Sequence, residues 1–192
     1  MSLKNIKEVA LKEHVPIVQD EGLTLLCDLI RHRNIQRVLE YGTAVGYSAI
    51  AMASVNDNVE VDTFEIDSSR YQQAVENIKS FGLENRIHAY LQDGKEATLT
   101  CRYDLVFVDA AKAQYKAYME HAKPYLNKGA IYVFDNLNFH GIVDDPSLTN
   151  NRNTRSLVKK IKAFREWLLS DPSVDVIYYK TKGDGLAIVK YR

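Results

Sequence analysis

The run Tyr103-Asp104-Leu105-Val106-Phe107-Val108 is almost unbroken in apolar residues, and so is Ala130 to Phe134. Runs this short and this uniformly apolar read as strands covered on both faces, which is the signature of a parallel sheet lying between layers of helices. The rest of the chain alternates in the same sense. Leu23, Leu26, Cys27 and Ile30 fall at helical spacing, Arg37 to Tyr41 reads as a strand into Gly42, and Ser48 to Ser54 as a small-residue helix. Val59 to Ile66 is β-rich, Arg70 to Phe81 is helical and stops before Gly82, and Arg86 to Leu91 is a further strand. Ala113 to Lys123 forms a helix halted near Pro124. A polar loop from Leu137 to Arg152 leads into a helix whose apolar face is Leu157, Ile161, Phe164 and Leu168. Val174 to Lys180 and Leu186 to Tyr191 lie too close together for a crossover and should pair antiparallel. The expectation is one α/β domain over residues 1–192, with a mostly parallel sheet, an antiparallel C-terminal strand pair, helices on both faces, and a helical lead over about residues 1–33.

Composition narrows the partners. The 192 residues are 46% hydrophobic, enough for one core, and 25 Lys plus Arg balance 25 Asp plus Glu. No global charge excess draws the chain to nucleic acid or to an anionic membrane, so any such partner must meet a local patch. No apolar stretch approaches a membrane span, the N-terminus has no secretory pattern, and Cys27 and Cys101 form no metal-like or redox-like pair. A cytoplasmic address is expected.

The chemistry gathers at strand ends. Glu40-Tyr41-Gly42-Thr43-Ala44-Val45-Gly46-Tyr47-Ser48 places Gly42 and Gly46 in a turn after the first buried strand, where the backbone can approach a ligand. The spacing G-x-x-x-G is not the dinucleotide fingerprint G-x-G-x-x-G, which argues against a nicotinamide oxidoreductase. Glu65 ends the next strand, where a carboxylate can accept hydrogen bonds from both ribose hydroxyls. Asp93 and Gly94 follow the third, where an acid can receive the amino group of adenine. Asp109, followed by Lys112, and Asp135-Asn136 terminate the two apolar strands. Two carboxylates and an amide oxygen make an all-oxygen set suited to Mg2+, with Mn2+ or Ca2+ as substitutes. Lys112 beside them suits a general base. A regulatory module that merely binds an adenosine cofactor would need the first three features and not the last.

Five ordered segments carry a family resemblance. They are Glu40 to Ser48, Thr63-Phe64-Glu65-Ile66-Asp67, Phe107-Val108-Asp109-Ala110-Ala111-Lys112, Asp135-Asn136, and Gly183-Asp184-Gly185-Leu186-Ala187. From about His14 onward the chain resembles the metal-dependent O-methyltransferases, a class with catechol and caffeoyl-CoA enzymes and a bacterial branch that methylates 5-hydroxyuridine in tRNA. The resemblance implies a Rossmann-like methyltransferase domain that binds S-adenosylmethionine through Glu40, Gly42, Gly46, Ser48, Glu65, Asp93, Gly94 and Asp109. It implies a divalent metal on Asp109, Asp135 and Asn136, with Lys112 as the base. Tyr41 departs from the family, which usually has an aliphatic residue there. The lead before His14-Val15-Pro16-Ile17 is shorter than the family's, in which that segment covers the substrate or joins a homodimer. The acceptor is expected to be a hydroxyl with an oxygen beside it, that of 5-hydroxyuridine in tRNA ahead of a small catechol-like molecule. Arg152 and Arg155, within a basic cluster that continues through Lys159, Lys160, Lys162 and Arg165, are candidates for a phosphate backbone, and His140 for the substrate's edge.

Overall fold

The computed structural model describes residues 2–192; Met1 lies outside them. The elements run α1 (Leu3–Lys12), α2 (Asp20–Arg33), β1 (Arg37–Tyr41), α3 (Tyr47–Ala53), β2 (Glu60–Glu65), α4 (Ser68–Ser80), β3 (Ile87–Leu91) and β4 (Tyr103–Val108). There follow α5 (Tyr115–Ala122), β5 (Leu126–Phe134), α6 (Arg152–Ser170), β6 (Val174–Tyr179) and β7 (Leu186–Tyr191). Side-chain caps fix several boundaries. Asp67 accepts the amides of Ser69 and Arg70 to start α4, Asn151 accepts that of Thr154 to start α6, and Asn34 in the left-handed region ends α2. The short N-terminal lead is a helix of its own: Ile6 and Ala10 of α1 are buried in the core it shares with α3.

The seven strands form one sheet in the order β3-β2-β1-β4-β5-β7-β6. Strands β1 to β5 pair in parallel, while β7 runs antiparallel between β5 and β6. The expected C-terminal pair is present, with the addition that β7 is inserted against β5 and leaves β6 at the edge. Burial explains the arrangement. Leu186, Ala187, Ile188 and Val189 of β7 are all buried, whereas β6 exposes Ile177 to 56%.

Alternation along the central strands divides the core into two layers. Leu105 and Phe107 face a cluster with Ile6, Leu26, Ile30, Ile50 and Ile78, which brings α1 to α4 to one side. Val106 and Val108 face Tyr115, Met119, Phe164 and Leu168, which brings α5 and α6 to the other. Full burial of each such side chain contributes roughly 1.5–3 kcal/mol, so both layers stabilise the sheet between them.

β1 lies between β2 and β4: from β1 the chain steps outward to β2 and β3, then crosses back to β4 on the other side of β1 and on to β5. The strand order therefore reverses at the β1/β4 boundary, and a crevice opens at the carboxyl ends there. Gly42 is what lets the two ends close on each other. Its φ is +104°, and a Cβ would lie 2.6 Å from the carbonyl oxygen of Asp109. Gly82 has a φ of +66° but open space around it. Gly82→Ala should cost about 1 kcal/mol in left-handed strain, whereas Gly42→Ala, blocked by backbone that cannot rotate away, should cost about 2–4 kcal/mol. Urea denaturation of the two variants measures the difference; equal losses would show that the β1/β4 approach is not tight in solution.

Candidate active site

The crevice holds a cavity of about 360 Å³. Its floor is the turn from Tyr41 to Ser48. Its walls are the ends of β2 and β3 with Glu65, Ile66, Gln92 and Gly94, the segment Asp109 to Lys112 after β4, Tyr118 of α5, and Pro16 to Val18 from the lead. Of the residues assigned from the sequence to the cofactor, Gly42, Ser48, Glu65, Gly94 and Asp109 line it, together with Lys112. Glu40, Gly46 and Asp93 do not.

Glu40 lies beneath the floor, wholly buried. Its two carboxylate oxygens accept the hydroxyls of Ser48 and Thr63, each at 2.5 Å, and the Thr63 and Thr43 hydroxyls are 2.7 Å apart. Burial pushes its carboxyl up from an ordinary 4.5 to about 7, against the two hydroxyl bonds that favour the anion. Glu40 thus bears on a bound molecule through Ser48 and Thr43, which do line the cavity. Gly46, with a φ of +81°, opens α3 beside Ala74. Asp93 caps the short turn Gly94–Glu96 by accepting the Lys95 amide, and its carboxylate is ion-paired with the Lys95 ammonium.

Glu65 supports the floor of the cavity. Oε2 accepts the amide of Ala44 at 2.8 Å, and Oε1 accepts those of Ile66 and Asp67 at 2.9 Å. Ala44 has a φ of +46°, so the carboxylate holds a left-handed residue of the floor in place. A carboxylate oxygen offers two lone pairs, so Oε2, with one amide, retains capacity for a further donor, while both lone pairs of Oε1 are taken.

The acid cluster forms at the ends of β4 and β5. Lys112 Nζ donates to Asn136 Oδ1 at 2.5 Å and to Asp109 Oδ1 at 3.2 Å, which places the ammonium between the two strands. Burial raises the Asp109 carboxyl, and the charge of Lys112 opposes the rise. Asp135, 2% exposed, is raised to about 7 by burial and then by the charge of Asp109. Asn136 sits at a φ of +59°, and its amide donates to Asp135 Oδ1 at 2.7 Å. Among the described residues, no group of three or more His, Cys, Asp or Glu could hold a metal, so a cation here depends on the amide oxygen of Asn136 as third ligand.

The residues assigned to the acceptor lie outside the cavity and are not gathered at one point. His140 is exposed at 72%, with its backbone amide bound to Asp184 Oδ1 at 2.6 Å. Arg155 donates from Nε to Thr149 O and from its guanidinium to Asn150, so it braces the loop ahead of α6. Arg165 is drawn inward. It pairs with Asp144 and donates to Tyr178 and Asn138, which removes it from any basic surface. Arg152, Lys159, Lys160 and Lys162 remain exposed. Asp184 received no role from the sequence beyond its place in a motif. It is 7% exposed, raises Asp135 by its charge, and keeps Oδ2 without a hydrogen-bond partner. Only its glycine neighbours, Gly183 and Gly185, mark it as a residue in a tight turn.

Because burial raises Glu40 above its ordinary value, an unfolded chain gives up the Glu40 proton before the folded one does. Stability from this group is therefore complete below about pH 4.5 and falls as pH rises toward 7. Glu40→Gln keeps an acceptor for one hydroxyl and a donor for the other. Its unfolding free energy should decline less than that of the wild type between about pH 5 and 7.5, with a gap of about 1–3 kcal/mol. Urea midpoints across that range, read in EDTA, check this; parallel curves would mean that Glu40 is ionised throughout.

The O-methyltransferase family model matches residues 1–192. Among proteins of known sequence, a caffeoyl-CoA O-methyltransferase of Populus kitakamiensis is 27% identical over 208 residues, covering 98% of this chain and 85% of its own. Among solved structures, a candidate caffeoyl-CoA O-methyltransferase from Staphylococcus aureus superposes with a TM-score of 0.95 at 34% identity, covering 100% of this chain and 93% of that one. The O-methyltransferase TomG of Streptomyces achromogenes, involved in tomaymycin synthesis and solved with S-adenosylmethionine, has a TM-score of 0.79 at 25% identity over 98% of this chain and 88% of that one. No helix among the described residues is long and apolar enough to cross a membrane. With the family model spanning its whole length and the fold shared throughout, the chain belongs to the O-methyltransferase family.

Proposed function

We propose that this O-methyltransferase moves the methyl group of S-adenosylmethionine to one of two adjacent oxygens on a small catechol-like acceptor, with a divalent cation at Asp109, Asp135 and Asn136. The observation that carries the reading is the meeting, on one sheet edge, of a cavity floored by Gly42 to Ser48 and the cluster of half-buried Asp109, Lys112 and Asn136 with buried Asp135. The donor set fits a hard cation: three oxygens from adjacent strand ends, two of them carboxylates that repel each other in a buried setting. Such a cation would supply Lewis-acid polarisation of the acceptor oxygen.

The chain's own groups account for the remaining work. Glu65 orients the ribose while holding Ala44 in the floor. Ser48, backed by Glu40, offers its hydroxyl to the amino-acid end of the cofactor. Lys112 is the candidate base for the acceptor's hydroxyl proton, and the apolar walls Ile17, Val18, Phe64 and Tyr118 exclude water from the methyl in transit.

A tRNA acceptor is the second reading, supported by the exposed cations Arg152, Lys159, Lys160 and Lys162 along α6. Support for it is narrower than the sequence suggests, since Arg165 is engaged within the fold and Arg155, though exposed, is tied to the loop at Thr149 and Asn150. The caffeoyl-CoA name of the Populus relative favours the catechol.

Excess EDTA should abolish transfer of labelled methyl to a catechol, and Mg2+ or Mn2+ should restore it. Asp135→Ala should lower kcat by at least about 100-fold while leaving the affinity for S-adenosylhomocysteine within about threefold, since that carboxyl lies outside the cavity. Full turnover in EDTA would sink the metal reading and leave the methyl transfer itself intact.

The acceptor is settled by a parallel assay on catechols and undermodified tRNA over a range of salt. Wild-type enzyme should label the catechols, and the combined change of Arg152, Lys159 and Lys160 to Ala should leave that rate within about twofold. Labelling of tRNA that steepens with salt and vanishes in the triple variant would establish the RNA acceptor instead.

A further inference from the structure

Tyr41 closes β1 with a phenol ring turned under the cavity. The ring is tilted against Tyr118 at 4.6 Å and stacked on Phe64 at 6.3 Å. Gly94 lies so close to its face that a Cβ there would be 2.4 Å from Cδ1 of the ring. All four residues line the cavity. Beyond the ring, the Tyr41 hydroxyl meets His121 Nδ1 at 2.7 Å, and His121 Nε2 meets the carbonyl oxygen of Ala97 at 2.9 Å.

The direction of this chain of bonds follows from its last member. A carbonyl can only accept, so Nε2 carries the proton; in the neutral ring Nδ1 then accepts from the Tyr41 hydroxyl. The strut joins three elements: β1 through Tyr41, α5 through His121, and the turn after β3 through Ala97. That turn is held at both ends, by contact of Gly94 with the ring face and by the bond to Ala97. Between β3 and Gly94 stands Gln92, another wall of the cavity.

We propose that Tyr41 and His121 are positioning residues that set the distance of the turn from Gln92 to Ala97 above the cavity, and so make the chain discriminate the base of its nucleoside cofactor. The proposal rests on the adenosine reading of the cavity. Hydrogen bonds to the edge of a base work within about 2.7–3.2 Å, so a turn free to move by half an ångström would bind any purine with little preference. A turn held in place leaves the wrong base with unpaired groups, and selectivity follows.

The test is calorimetric titration with S-adenosylhomocysteine and with its hypoxanthine analogue, S-inosylhomocysteine, on wild type, Tyr41→Phe, His121→Leu and His121→Gln. Tyr41→Phe keeps the ring against Gly94 and removes only the hydroxyl, so the fold should survive. Wild type should favour the adenine ligand strongly. In Tyr41→Phe and His121→Leu the Kd for S-adenosylhomocysteine should rise about tenfold while that for the inosine analogue moves less than about twofold. His121→Gln, whose amide retains an acceptor and a donor, should recover most of the preference. Equal weakening of both ligands in folded variants would reduce the strut to a structural support and overturn the proposal, as would an unchanged ratio. Failure of wild type to bind either nucleoside would overturn the adenosine reading itself, and this proposal with it.

Discussion

The contact between Gly42 and the backbone of Asp109 governs the rest of the site. Tyr41 O accepts the Asp109 amide at 3.0 Å, and the chain then turns away from both strands within one residue. A side chain at position 42 would separate the ends of β1 and β4. The floor of the cavity and the acid cluster would part with them, because each is a direct continuation of one of those strands. Methyl transfer needs donor sulfonium and acceptor oxygen in line within a few ångströms. A parallel sheet supplies that proximity only at its point of reversal, and only if the two turns leaving it can touch.

A second dependence runs through carboxylates that support backbone before they meet any ligand. Glu65 satisfies three amides, and Glu40 gathers two hydroxyls. Charge placed under a turn in this way fixes the turn's shape without a covalent link, and the fixed amides and hydroxyls become recognition groups already set in place. The loop after β5 works in the same manner. Asn136, Phe139, His140 and Gly141 all have positive φ, and Asp184 and Gly185 accept the amides of His140, Asn138 and Leu137 to hold it. Three of these four are not glycine, so the loop stores strain that its anchors must offset.

How much of this could be read beforehand depended on the range over which each signal acts. Strand ends were legible because burial on both faces leaves an unbroken apolar run, and the residue that ends the run is known at once: Asp109 and Asp135 were found this way, and Glu65 as the end of a run that is β-rich but interrupted by Asp62 and Thr63. Sheet order beyond alternation was not, since nothing local in Leu186 to Tyr191 says that it will enter between β5 and β6. Charge was legible as composition and misleading as surface. Arg165 looks like part of a basic helix face, yet it turns inward to Asp144, Tyr178 and Asn138, which are remote in sequence. Tyr41 was visible as a departure, but its meaning lies in His121 and Gly94, and only folding brings the three together.

The two halves of the cavity edge come from different stretches of the chain. The floor and the Glu65 and Gln92 walls belong to residues 16–94, on one side of the sheet's reversal. The loop after β5, its anchor at Asp184, and the start of α6 belong to residues 135–185. A change confined to the later stretch therefore leaves untouched the backbone that shapes the floor and the first walls of the cavity. The two stretches can in this sense be altered one at a time, each folding its own part of the cavity's rim.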